Sequence, residues 1–141
     1  LPSSASSNEN ETLKLDQAIL NYDTTTLQNE LSFCENGIIL LHMGEAYIEH
    51  NDLQDAQSTV EKLEEVSVMK GKYLNAQINL AQANQSVANA KQDLANANKL
   101  ADNDNTKKGK VESAKSELAT ARNKQRKYQK EVKKLKREVN E

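Results

Sequence analysis

Side chains capable of acid–base, metal or nucleophilic chemistry are few in this sequence and widely spaced. His42 and His50 bracket Glu45 and Glu49 in a His-x2-Glu-x3-Glu-His string. Imidazole and carboxylate together suit a transition metal. Paired ligands on one helix sit three or four residues apart, however, and these histidines are eight apart. The string is therefore read as solvated helix surface, and no metal is expected. Cys34 is the single cysteine, so no internal disulfide can form. It follows Phe33 near an expected helix end, without the neighbours that activate a thiol, and a structural role is expected. No glycine-rich phosphate loop, Cys-x-x-Cys or Gly-x-Ser-x-Gly occurs. These absences exclude the commonest nucleotide, redox and hydrolase signatures; a non-catalytic chain without a cofactor is expected.

The remaining chemistry is charge. From Lys107 to Glu141 there are thirteen Lys/Arg and five Asp/Glu, a net of +8, whereas residues 1–106 carry six bases and sixteen acids, a net of −10. The whole-chain value of −2 hides this polarity. Such density suits phosphate, but base stacking needs aromatic rings, and Tyr128 is the one ring in the basic segment. Backbone-directed nucleic-acid binding is thus ranked behind pairing with the acidic helices or plain solubility. Arg122, Arg126, Lys130, Lys133, Lys134 and Arg137 are the candidate contacts on this arm. The longest aliphatic run is Ile38–Leu41, far short of a membrane span, so membrane insertion is not expected. A lone cysteine fixes no compartment, and a secreted or cell-envelope setting ranks only slightly ahead of a cytoplasmic one.

Positioning these residues falls to helices. Tyr73, Leu80, Val87, Leu94 and Ala101 are seven apart, and Ala76, Ala83, Ala90 and Ala97 each follow three later. A second arm repeats the spacing with Val111, Leu118, Gln125, Val132 and Val139, followed by Ala114, Ala121, Tyr128 and Leu135. This is the seam of a coiled coil. The gap Asp102–Lys110 has loop composition, so residues 70–141 are expected to form an antiparallel hairpin turning over residues 102–110. Facing residues then have numbers summing to about 212: Leu94 meets Leu118, Ala90 meets Ala121, Ala83 lies under Tyr128 and Ala76 under Leu135. Large falls on small, as close packing requires. Gln125 opposite Val87 is the imperfect pair. Ala81, Ala88 and Ala95 form a further small-residue series beside the seam, and they are candidate contacts for a packed helix.

With 36% hydrophobic residues, no Trp, one Phe and one Pro, the chain suits narrow helical seams better than a thick core. Residues 1–10 are expected to be a flexible leader, with Asn8 as a loose helix cap. A first helix is expected over about Glu11–Phe33, with Leu13, Leu20, Leu27, Leu31 and Cys34 on one face and a weak point at Thr24–Thr26. Residues 11–69 form an N-terminal helical region. Gly71 marks either a bend or a tolerated position in one helix from Asp52 to Leu100.

Within residues 37–70, Leu40, Met43-Gly44, Tyr47, Ala56 and Val60 stand at the intervals of the tetratricopeptide repeat, which this segment resembles. The resemblance implies one helix–turn–helix pair. Leu40 replaces the usual Trp, Val60 the Phe and Val68 the closing Pro. No second copy follows, so no peptide groove is implied. In composition and heptads the hairpin also resembles those of bacterial periplasmic adaptor proteins, without their flanking lipoyl-type segments. That resemblance implies a part in a secretion or efflux assembly. The expected fold is all-α, an elongated helical bundle with a long antiparallel coiled-coil hairpin. The expected role is an adaptor or spacer holding a protein partner, or a second copy of itself, by helix packing.

Overall fold

The computed structural model describes residues 4–140, with side chains described from residue 9. Six helices follow in order: α1 (Ser4–Leu20), α2 (Thr24–Glu30), α3 (Gly37–Glu49), α4 (Leu53–Val66), α5 (Val68–Asn98) and α6 (Lys107–Asn140). No strand occurs among the described residues. The chain is an all-α bundle with a projecting hairpin. Helix α5 is its spine: α3 and α4 pack on the first half of α5, α6 runs along it, and α1 and α2 pack on one another, with α1 also on α3. At about 1.5 Å per residue, the 31 residues of α5 span roughly 46 Å.

The N-terminal region differs from expectation at three places. Of the expected leader, residues 1–3 lie outside the described residues and Ser4–Asn10 opens α1, so Asn8 stands inside a helix and not at its cap. The expected first helix is two helices. Tyr22 takes a left-handed φ of 50°, and Thr24–Thr26 begin α2, where the Asp23 carboxylate accepts hydrogen bonds from the Thr26 amide (3.2 Å) and hydroxyl (2.7 Å). Threonines poor in a helix interior serve well behind an Asp cap. The hydroxyl and amide bonds from Thr26 also hold the Asp23 pKa below its ordinary value. Finally, the buried face of α1 is Leu15 and Ala18, while Leu13 and Leu20 are 57% and 83% exposed.

Tyr22 would be strained alone, but three contacts hold it. Its ring stacks on His50 at 3.6 Å and 9°, meets Tyr47 edge-on at 6.0 Å, and its hydroxyl donates to Asp52 at 3.4 Å. The α3–α4 turn at this junction has a second left-handed non-glycine residue, Asn51, at φ 58°. Asn tolerates that geometry readily. Tyr47 is 1% exposed, and burial first, then the Asp55 charge, pushes its phenol up to about 12.

Helices α3 and α4 form an antiparallel pair whose interior holds Leu40, Met43, Tyr47, Ala56, Val60 and Leu63. The Asn36 side chain caps α3, accepting from the Ile38 and Ile39 amides at 3.0 and 3.1 Å. Gly44 admits a close helix neighbour, α5: a Cβ at Gly44 would clash with the Leu74 side chain. The break between α4 and α5 is at Ser67, extended at φ −151° and capping α5 through the Lys70 amide at 3.3 Å. Gly71 lies inside the first turns of α5, where a Cβ would meet Glu64 Cγ at 2.5 Å. It serves a close approach of α5 to α4 and makes no bend of its own.

In the hairpin, Ala76, Ala83, Ala90 and Ala97 of α5 are buried, as are Ala114, Leu118, Ala121 and Leu135 of α6. Val87, Ala90, Leu118 and Ala121 form one cluster with Leu94 against it. Leu135 belongs instead to the main core, where Val132 and Val139 also pack. Gln125 donates to Asn84 at 2.9 Å, so the polar seam position has a hydrogen-bond partner across the hairpin. The connection spans residues 99–106 and not 102–110: α5 already ends at Asn98, so Ala101 lies outside the helix. Asp104 accepts from the Thr106 amide and hydroxyl at 2.8 and 2.6 Å, and α6 starts at Lys107. Three of the four residues Lys107–Lys110 are lysine, a good helix former, which explains the early start.

Candidate interaction surfaces

Two outward faces of the hairpin and one concavity in the head could meet another molecule. Beginning with α5, Leu74, Ala81, Ala88 and Ala95 are seven apart and share one face beside the α6 seam. At its root that face is an occupied packing surface: Leu74 is fully buried in the space that Gly44 leaves. Ala81 is half-buried, and beyond it Ala88 and Ala95 are exposed. The amides alongside bond within the helix, Gln85 to Asn89 and Gln92 to Asn96, each at 3.0 Å. Between Leu80 and Asn98 only Lys91 and Asp93 are charged. The outer part of α5 is thus small-sided and close to neutral.

On α6, Arg122, Arg126, Lys130, Lys133, Lys134 and Arg137 are all exposed. Five of them, Arg122, Arg126, Lys130, Lys133 and Arg137, recur at intervals of three and four and form one stripe opposite the seam. Glu131 and Glu138, the two acids of residues 122–138, lie off the stripe. Of the two readings ranked ahead of nucleic acid, pairing with the acidic helices and plain solubility, the first does not occur among the described residues. The ion pairs there are Lys14–Glu30, Lys62 with Glu35 and Glu65, and Lys107–Asp102. The α6 stripe faces outward because the seam fixes α6's rotation, with Ala121 and Leu135 turned in.

The concavity, about 830 Å³, lies between α1 and the start of α3, with Leu15, Cys34 and Ile39 among its apolar lining, Glu11, Glu30 and Glu35 among its polar lining, and Phe33 77% exposed. Its acids are partly committed: Lys14 donates to Glu30 at 2.9 Å and Lys62 to Glu35 at 2.8 Å. Burial pushes the Cys34 thiol up, so it stays protonated at neutral pH. His42 is exposed on α3, whereas His50, at the C-cap, donates Nδ1–H to the Ala46 carbonyl at 2.9 Å and lies against Tyr22. The two histidines therefore serve different surroundings and form no joint site.

What sequence reasoning missed is the outer face of α1. Glu9, Leu13, Asp16 and Leu20 recur at four, three and four residues, a helical stripe readable from spacing alone. It was obscured because Leu13 and Leu20 were assigned inward with Leu27. No helix among the described residues is long and apolar enough to cross a membrane. No protein-family model, curated protein or solved structure matches this chain.

Proposed function

We propose that this chain is a non-catalytic helical adaptor or spacer, with a compact head (α1–α4) and a two-helix arm that holds a protein partner by helix packing. One observation carries the reading: the α5 face that packs against α3 at its root continues outward, uncovered, as Ala88 and Ala95. Small side chains let a second backbone approach closely, and few charges on that face need desolvation there. The arm's length supports the spacer aspect, since α5 beyond Ile78, its last residue in the main core, runs on for roughly 30 Å. We carry α3–α4 in this reading as a single tetratricopeptide-like pair that braces the root of the arm.

A photo-crosslinking residue at Ala88 tests the role in cells that make the protein. A discrete protein adduct should form from Ala88 and be lost when Ala95→Glu is added, while circular dichroism shows unchanged helix content. Equal adducts from Thr120, on the other arm, or indifference to Ala95→Glu, would overturn the reading.

A further inference from the structure

We propose that the basic stripe of α6 is a docking surface for a second copy of this chain, and that α1 of the second copy is what lies on it. The inference supplies a partner for the packing role proposed above and rests on that reading.

Two unpartnered stripes of opposite character support it. On α1, Glu9, Leu13, Asp16 and Leu20 share one face turned away from the buried Leu15 and Ala18. Acid and leucine alternate there, and both leucines are more than half exposed. An outward-facing pair of leucines seven apart is costly to hydrate and is not explained by the fold of one chain. On α6, Arg122, Arg126, Lys130, Lys133 and Arg137 present positive heads on long aliphatic stems. Those stems can lie on Leu13 and Leu20 while the heads reach Glu9 and Asp16, a division of labour that long basic side chains commonly adopt. The stripes are also comparable in length: the twelve residues Glu9–Leu20 of α1 cover roughly 16 Å and the sixteen residues Arg122–Arg137 of α6 roughly 22 Å.

Charge complementarity extends beyond the stripes. Residues 4–66 carry thirteen acids against two bases, and residues 122–138 nine bases against two acids. Within one molecule these sets do not pair, so the attraction is available between molecules. A long polyanion fits the surroundings less well, since the acidic head adjoins the root of α6 and repels it, and Tyr128 is half-buried against the seam. A two-fold arrangement uses both stripes of both copies and doubles the contact.

Sedimentation velocity on the full chain tests the proposal, from about 1 to 200 µM protein in about 50 and 500 mM NaCl. Self-association is expected at low salt, with its midpoint raised about tenfold or more at high salt. Glu9→Lys/Asp16→Lys and Arg126→Glu/Lys133→Glu chains should each be monomeric with unchanged helix content. Their equimolar mixture should associate again, because each reversed stripe then faces an opposite charge. A wild-type monomer at the highest concentration and low salt overturns the proposal, as does a mixture that stays monomeric. So does a monomeric chain that binds a 20-base-pair DNA duplex and loses it only in the arm variant. Association that survives both reversals but is lost in Ala88→Glu overturns this inference and leaves the adaptor reading standing.

Discussion

At the residue scale, the head is set by places where nothing larger than hydrogen fits. Gly44 faces Leu74, itself fully buried. Gly44→Ala should therefore destabilise the chain by about 1–3 kcal/mol in urea denaturation, the usual cost of overpacking. Combining it with Leu74→Ala should cost less than the two single losses added, since the new methyl fills part of the cavity. Tyr47 gives the head a pH limit. Its folded pKa of about 12 exceeds the ordinary tyrosine value of 10.0, so the folded state holds the proton more tightly than the unfolded one. Stability linked to Tyr47 is complete below pH 10 and should be lost as pH rises from there toward 12. Ultraviolet titration of phenolate, read beside circular dichroism, should show one tyrosine ionising only as helix is lost.

At the element scale, the hairpin was legible and the head only in its α3–α4 helix pair, for a physical reason. A coiled-coil seam repeats one local rule many times, so Val87, Ala90, Leu118 and Ala121 could be placed from spacing alone. The head depends on single events that leave little periodic trace. Tyr22 breaks α1 from α2 because His50 and Tyr47, distant in sequence, hold its ring. The α4–α5 break falls at Ser67, where spacing gave no sign of one, and Gly71, read as either a bend or a tolerated position, is constrained by the neighbouring Glu64. One available signal was passed over: Leu74 and Ile78 are large aliphatics off the hairpin seam, 0% and 2% exposed, and they reveal that α5 has a second set of neighbours. The candidate contacts fared similarly. The Ala series and the basic stripe were readable as faces, but that no carboxylate comes to the α6 bases was not, because pairing depends on how the head sits on α5. The seam divides accordingly into a root inside the main core and an outer cluster held by α5 and α6 alone. Leu118→Ala should cost about 2–4 kcal/mol locally. Hydrogen exchange should then accelerate over residues 83–98 and 107–125 while α3 amides keep their protection.

For the whole molecule, the unexplained feature is a helix loaded against itself. Arg122, Arg126, Lys130 and Lys134 are each four apart, and like charges at that spacing cost about 0.2–0.5 kcal/mol per pair. The Arg126 guanidinium finds only the Asn123 side chain, at 3.1 Å. Arg126→Glu converts two repulsive pairs to attractive ones and should stabilise the monomer by about 1 kcal/mol. Melting at low micromolar concentration, where the chain is single, should show a Tm raised by a few degrees. The same substitution with Lys133→Glu should abolish self-association. A residue whose removal helps the isolated fold and harms the assembly is placed for the assembly. If Arg126→Glu instead lowers Tm, the stripe serves the arm's own stability, and the case for an outside partner loses its thermodynamic basis.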